Sequence, residues 1–117
     1  MKRTIGPFGY TARTNESPLY GVGASGDPWL SADRASATIT FEDFTGGVVG
    51  LGGNFFTTAR EGSFDWGTVT LTARDADGSV SRTIVNASTS GFLGFMSTSG
   101  LESVSLTVAP SVGKYLW

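Results

Sequence analysis

Two short segments rich in glycine and phenylalanine constrain this chain more than any other feature. The first is Gly52-Gly53-Asn54-Phe55-Phe56, and the second runs from Gly91 to Ser97 with the sequence GFLGFMS. Glycine inside a strand marks a kink or a close backbone approach, whereas phenylalanine supplies a large area for burial. Because the two segments occupy matched places between alternating runs, we predict that they brace the core of a two-sheet β-sandwich. Phe55 or Phe56, together with Phe92 and Phe95, are expected to lie in that core.

Alternation of apolar and polar residues dominates the rest of the chain and indicates half-buried strands. It is clearest in residues 37–41, 68–73, 79–85 and 101–108, while 48–56 has the composition of a strand kinked by its glycines. Asp75-Ala76-Asp77-Gly78 separates two of the runs, and Asp-Gly at such a point predicts a hairpin with a type I′ turn.

The first 36 residues are less regular, since Gly and Pro interrupt them every few positions. We expect one or two short strands there, near Phe8–Arg13 and Pro18–Val22, and no helix longer than a single turn at 31–36. The chain as a whole is predicted to be all-β, a two-sheet antiparallel β-sandwich of the jelly-roll type with about eight strands. It is expected to form one domain over residues 1–117.

Composition excludes several functional classes. The chain has no Cys and no His, so disulfides, Cys nucleophiles, Ser-His-Asp triads and His-ligated zinc are ruled out. Its eight basic residues are scattered and its net charge is −2, which argues against a nucleic-acid partner. No apolar run approaches the ~18 residues of a membrane span. The basic start, Met1-Lys2-Arg3, is followed by no apolar stretch, so no signal peptide is present as the sequence stands.

Two tryptophans near acids are the candidate ligand-binding residues. Sugars stack their CH faces on flat aromatic rings while carboxylates and amides accept hydroxyl hydrogen bonds, so Trp29 and Trp66 are proposed as ring platforms. The polar groups that would take hydroxyls are Asp27, Asn54 and Asp65. The alternative interpretation is structural: both tryptophans cover the ends of a small core, and Asn54 belongs only to a glycine kink.

Metal binding and catalysis are weakly indicated. Aspartates at alternate positions in Asp75–Gly78 resemble part of a calcium loop, but the motif is incomplete and the hairpin turn explains every residue. No cofactor is expected. A structural calcium ion held by Asp27, Asp33 or Asp43 is the alternative that the sequence leaves open. The acids Glu42, Asp43, Glu61 and Asp65 suit a glycosidase by type alone, without a recognisable pair. We therefore expect a protein that is not an enzyme.

The order of these segments resembles the extracellular domains of bacterial proteins that carry a PEP-CTERM sorting signal. The matching parts are Asp27–Ser31, Ile39–Phe41, Val48–Phe56, Gly67–Thr72, Asp75–Gly78 and Gly91–Ser97. The resemblance implies a secreted jelly-roll sandwich, related in shape to carbohydrate-binding modules, at the cell surface or outside the cell. The sorting signal itself is absent here. The family's closing strand with Asp-Asn is also missing, because this chain stops at Trp117.

Two functions follow as expectations. The first is a non-catalytic extracellular module that binds polysaccharide at the bacterial surface or in the matrix. The alternative is a structural subunit that assembles with copies of itself into a filament or surface layer. Low charge, at 15% of residues, and an open sheet edge would favour such a homo-oligomer, since unpaired edges recruit further strands.

Overall fold

The structure, a computed structural model, describes residues 1–16, 18–32, 34–59, 63–109 and 115–116. The regular elements of this part of the chain are strands, as the alternation predicts. They are β1 (Lys2–Ile5), β2 (Phe8–Thr14), β3 (Leu19–Ala24), β4 (Asp27–Ala32), β5 (Ile39–Thr45), β6 (Gly50–Asn54), β7 (Thr57–Thr58), β8 (Phe64–Asp65), β9 (Gly67–Asp75), β10 (Gly78–Ala87), β11 (Phe92–Met96), β12 (Leu101–Val108) and β13 (Tyr115–Leu116).

A six-stranded antiparallel sheet organises the molecule, with strand order β1-β2-β5-β12-β9-β10. Three smaller sheets accompany it, namely β11-β6, β13-β7-β8 and β3-β4. The all-β class is thereby confirmed. Within the described residues, β1 and β10 are the two edges of the large sheet, and neither is paired with a further strand.

The register of the large sheet separates its two faces. Hydroxyl and charged side chains form rows across one face, such as Arg13–Thr40–Ser105–Thr72–Ser81. The other face presents apolar rows, such as Ala12–Phe41–Val104–Ala73–Val80. This division is what period-2 alternation dictates when one side of a sheet is buried. Hydrogen bonds between hydroxyl groups connect the polar rows. The hydroxyl oxygens of Thr72 and Ser81 lie 2.7 Å apart, and those of Thr70 and Thr83 lie 3.0 Å apart.

The hydrophobic core joins the apolar face of the large sheet to side chains from the smaller elements. Ile39, Val69, Leu71 and Val104 on the large sheet are at most 1% exposed. Phe55, Phe95 and the alanines Ala32, Ala37 and Ala87 belong to the same cluster. Burial of this kind stabilises a fold by about 25 cal/mol for each Å² of apolar surface removed from water.

The two glycine–phenylalanine segments pair with each other as β6 and β11, in the register Phe92↔Asn54 through Met96↔Gly50. Their buried phenylalanines are Phe55, Phe56 and Phe95. Phe92 is a correction: its side chain is 72% exposed rather than part of the core. A Cβ atom on Gly52 would lie 2.6 Å from Cζ of Phe92, so the Phe92 ring covers the glycine backbone on the solvent side. Strand alternation explains the difference, since Phe92 and Phe95 fall on opposite faces.

The hairpin between β9 and β10 is confirmed, but its type I′ turn is not. Asp75 pairs with Gly78, and neither loop residue, Ala76 or Asp77, has a positive φ. Gly78 has a φ of 140° instead. Asp at the first position and Gly at the fourth are the preferences of a type I turn, and the Asp75 carboxylate accepts a 2.8 Å hydrogen bond from the Asp77 amide.

The N-terminal third contains more strand than its sequence indicates. Four strands, β1 to β4, occupy it, against the one or two expected. β1 was missed because Lys2-Arg3-Thr4-Ile5 is an exposed edge strand with little apolar alternation. Its partner β2 follows through the two-residue loop Gly6-Pro7, where Gly6 has a φ of 57°. Glycine at the first loop position suits a type II′ hairpin turn.

Two non-glycine residues with positive φ mark irregularities in the large sheet. Asp43 has a φ of 53° where β5 shifts register against β2, and Asn86 has a φ of 51° where β10 shifts against β9. An extra residue in one strand of a pair is a β-bulge, which increases the local twist. The bulge in β5 also explains why the consecutive side chains of Glu42 and Asp43 both reach Arg13, at 2.6 and 2.9 Å.

Candidate functional site

Four aromatic rings make a continuous chain of contacts, here called the aromatic cluster: Trp29, Phe56, Phe64 and Trp66. The rings of Trp29 and Phe56 meet edge to face at 5.2 Å, and those of Phe64 and Trp66 do so at 5.0 Å. Phe56 and Phe64 link the two pairs at 6.3 Å. Phe56 is the most buried of the four rings at 4% exposed, Trp29 is half-buried, and Phe64 and Trp66 are 39% and 57% exposed. One end of the aromatic cluster is therefore anchored in the protein, while the other faces water.

Short strands place the exposed end of the aromatic cluster. β7 pairs with β8 in the register Thr57↔Asp65 and Thr58↔Phe64, so the chain doubles back just before Trp66. Thr57 Oγ1 donates a 2.7 Å hydrogen bond to the Asp65 carbonyl and so holds β8 against β7. The backbone of β9 starts directly after Trp66 and approaches Thr57 closely, because a Cβ atom on Gly67 would overlap the Thr57 side chain. The Trp66 ring thus stands on a tightly held backbone.

The structure brings together some of the residues proposed from the sequence. Trp29 and Trp66 are joined through the two phenylalanines of the aromatic cluster. Alternation along β8 directs the Asp65 side chain to the side opposite Phe64 and Trp66. Asn54 is exposed at the end of β6, two residues from Phe56, so their Cα atoms are at most about 7 Å apart. Asp27 begins β4, and its side chain lies outside the described part of the chain.

Two exposed rings were not recognised from the sequence as surface residues. Phe64 shares the solvent end of the aromatic cluster with Trp66, and Phe92 lies directly across from Asn54 on β11. The exposure of Phe92 could have been inferred from the residues that share its face of the strand. Gly94 and Met96 share its face by strand alternation, and the facing β6 positions include Gly50 and Gly52, so the ring has glycine backbone beneath it rather than apolar neighbours.

Two of the acids considered for metal binding or catalysis form ion pairs within the protein. Glu42 and Asp43 both bind the guanidinium of Arg13, and these hydrogen bonds, Asp43 first, raise the pKa of Arg13. Among the described residues, no three acidic side chains converge as a metal site would require. Asp33 and Glu61 are outside the described residues.

The Asp75 carboxylate closes a small pocket of about 220 Å³ at the β9–β10 turn, lined also by Phe95, Met96 and Ser97. Ser97 Oγ donates a 2.5 Å hydrogen bond to it, and the Asp77 amide donates another. These two hydrogen bonds lower the pKa of Asp75, with the Ser97 hydroxyl as the larger cause. The carboxylate is thus satisfied by the protein itself and serves the turn.

Comparison with protein-family models, with curated proteins and with solved structures gave no match for this chain. In the part of the chain that the structure describes, there is no helix with the length and apolar character needed to cross a bilayer.

Proposed function

We propose that this protein is a non-catalytic binding module that takes up polysaccharide on the exposed end of its aromatic cluster. The observation that supports the proposal is the pair of rings at Phe64 and Trp66, which are in contact and substantially exposed on a tightly hydrogen-bonded backbone. A sugar ring stacks on such a face without requiring the protein to reorganise. Rigid aromatic side chains of this kind bring large contact area at low entropic cost.

The polar groups proposed to orient the sugar are Asn54, Asp65 and Asp27. Asn54 is within two residues of Phe56 and stands across from the exposed ring of Phe92. A polysaccharide longer than one residue would reach from Trp66 toward Asn54 and Phe92. Asp65 faces away from the two rings, so its carboxylate would contact only a chain that passes around β8. Asp27 is retained as a partner for a sugar near Trp29.

The proposal includes a two-layer architecture. In it, the smaller sheets cover the apolar face of the large sheet and complete a jelly-roll sandwich. The shared core of Leu71, Val104, Phe55 and Phe95 supports this arrangement. The likeness to the extracellular domains of PEP-CTERM proteins rests on sequence segments alone, and with it we propose secretion to the bacterial surface or matrix.

Binding to a panel of polysaccharides tests the proposal. Xylan, glucomannan, β-glucans and bacterial exopolysaccharides would be cast into native gels, and retardation of the protein would be measured in each. For a polysaccharide that retards the native protein, we expect Trp66→Ala to weaken binding about tenfold or more, equivalent to ~1.4 kcal/mol. Phe64→Ala should weaken it less, because Phe64 is the more buried ring of the pair.

The matched control is Phe8→Ala, which removes a ring that is also half-exposed but lies in the first hairpin, outside the aromatic cluster. It should bind as the native protein does. Retardation by no polysaccharide, or equal losses for Trp66→Ala and Phe8→Ala, would disprove binding through the aromatic cluster.

A second candidate function is self-assembly through the open edges of the large sheet. β1 and β10 lack a neighbouring strand within the described residues, and Val85 on β10 is 70% exposed. Against it, both edges have features that discourage pairing. β1 is short and carries Lys2 and Arg3, whereas β10 contains the bulge at Asn86. Sedimentation velocity over a wide concentration range distinguishes the two functions. If the native protein forms large assemblies and Val85→Lys is a monomer, the structural subunit is favoured. If the native protein is a monomer at every concentration, the structural subunit is excluded.

A further inference from the structure

The apolar face of the large sheet is wider than the layer that covers it. On β1 and β2, cross-strand partners place Arg3 beside Tyr10 and Ile5 beside Phe8 on the same face as the buried Ala12. Toward the margin this face opens to water, since Ile5 is 80% exposed and Phe8 is half-exposed. The apolar face of the large sheet therefore extends beyond the hydrophobic core. Its uncovered part, formed by Ile5, Phe8 and Tyr10, is here called the apolar shelf.

A cleft of about 440 Å³ lies between this shelf and the segment from Gly47 to Gly52. Its walls are mostly apolar, with Ile5, Phe8 and Tyr10 on one side and Val48, Val49 and Leu51 on the other. The volume falls within the ~300–1,000 Å³ typical of small-molecule sites.

A backbone contact holds together the residues that directly precede Phe8 and Gly47, two residues that line the cleft. Gly46 has a φ of 79°, and a Cβ atom built on it would lie 2.1 Å from the Pro7 carbonyl oxygen. The loop after β5 is thus pressed against the β1–β2 turn at a point where only glycine fits. Toward the core, the partly buried side chains of Phe44, Val48 and Leu51 bound the cleft. These contacts give it fixed walls on two sides.

Arg3 supplies the single charged side chain among the residues that line the cleft. No ion pair or side-chain hydrogen bond joins it to another residue within the described part of the chain. Arg13 and Arg74, by contrast, each form an ion pair with an acidic neighbour. An arginine without an acidic partner beside an apolar cleft is suited to an anionic group, because its planar guanidinium donates paired hydrogen bonds to a carboxylate.

We propose that this cleft binds a small amphipathic anion, of the class of medium-chain acyl carboxylates. The apolar tail would lie between Phe8, Val49 and Leu51, and the carboxylate would face Arg3. The site contains no residue of the aromatic cluster, so it is independent of polysaccharide binding. With a net charge of −2, the protein as a whole repels anions, and selection of an anion would have to come from the local site.

Three ligands with the same tail and different heads test the proposal: decanoate, decanol and decyltrimethylammonium, each below its micelle concentration. Isothermal titration should show saturable binding in the order decanoate, decanol, decyltrimethylammonium. Amide chemical shifts should move mainly within residues 3–10 and 44–52. Arg3→Gln should weaken decanoate binding about tenfold and leave decanol binding nearly unchanged, since only the charged hydrogen bonds are lost.

Two matched variants control for charge and folding. Arg82→Gln removes an arginine from the same sheet face at the opposite edge, where Arg82 pairs with Leu71, and should bind as the native protein does. Val49→Asp places a negative charge in the cleft and should weaken decanoate about tenfold, whereas Val85→Asp on β10 should not. The proposal is overturned if Arg3→Gln and Arg82→Gln bind decanoate equally well, or if decyltrimethylammonium binds best of the three ligands. It is also overturned if the protein binds none of the three ligands and binds only to vesicles that contain phosphatidylglycerol.

Discussion

Ser97 donates a 2.5 Å hydrogen bond to the carboxylate of Asp75 and so joins the end of β11 to the turn between β9 and β10. The Ser97 amide also donates to the Val49 carbonyl at 2.7 Å, which ties the same residue to the segment before β6. One serine therefore links the large sheet with the smaller β6–β11 ribbon. Because the hydroxyl bonds to the charged form of Asp75, the link depends on pH.

Acidification should weaken the fold through Asp75. Its folded pKa lies below the ordinary value of 3.8, with the Ser97 hydroxyl as the first cause. A depressed folded pKa contributes stability that is present above the unfolded pKa and is lost as pH falls through the folded pKa. The free energy of unfolding from urea titrations should therefore drop below about pH 4. Ser97→Ala should flatten this part of the profile, and Thr98→Ala, which removes the neighbouring exposed hydroxyl, should leave it unchanged.

Two adjacent threonines in β7 should respond to the same substitution with opposite sign. Both are fully buried, but Thr57 Oγ1 donates to the Asp65 carbonyl, whereas Thr58 Oγ1 has no hydrogen-bond partner among the described residues. Thr58→Val should raise the free energy of unfolding by about 1 kcal/mol, because it removes an unsatisfied hydroxyl. Thr57→Val should lower it by ~1–3 kcal/mol. Equal effects in chemical denaturation would contradict the assignment of partners.

Much of the large sheet was predictable because burial on one face imposes a two-residue period. Residues 68–73 alternate cleanly, 79–85 and 101–108 do so in part, and each run lies in a strand of that sheet. Where alternation is absent the prediction weakened. β1 has little apolar content because it is an exposed edge. The single strand expected over 48–56 ends at Asn54, because the two consecutive buried residues Phe55 and Phe56 interrupt the alternation before β7 begins.

The candidate site was predictable only in part. Tryptophans and glycines indicated where rings and close contacts occur, and Trp29 and Trp66 do belong to one cluster. Which ring faces water is decided by tertiary packing around short irregular strands, such as the pair of β7 with β8, that the alternation pattern does not encode. The turn type at Asp75–Gly78 was also wrong for a physical reason: side-chain hydrogen bonds to Asp75 favour a type I turn over type I′.

The two phenylalanines of β11 should differ sharply in their contribution to stability. Phe95 is 8% exposed and belongs to the core cluster, so Phe95→Ala should cost about 3–5 kcal/mol. Phe92→Ala should cost less than about 1 kcal/mol, because its ring covers only the backbone of Gly52 and Gly94 on the solvent side. Thermal unfolding of both variants measures the difference. A large loss for Phe92→Ala would mean that its ring is buried in solution.

Gly67 is expected to be the least replaceable glycine in the strands around the aromatic cluster. A Cβ atom there would lie 2.2 Å from Thr57 Oγ1, and that side chain cannot move without losing its hydrogen bond to the Asp65 carbonyl. Gly67→Ala should therefore destabilise the protein by ~1–3 kcal/mol through overpacking. Gly21→Ala is the matched control, since Gly21 also lies in a strand and a Cβ atom there meets nothing within 4 Å.

Gly67→Ala has a second expected effect, on Trp66, which directly precedes Gly67. Displacement of β7 and β8 would shift the Trp66 ring. The tryptophan fluorescence maximum of Gly67→Ala should therefore differ from that of the native protein. The maximum of Gly21→Ala should match the native one. Urea titration together with the emission spectrum separates the two effects. Equal stability of the two alanine variants would show that the Thr57 side chain can move aside without loss of free energy. The backbone at Gly67 would then be less tightly packed than its contacts indicate.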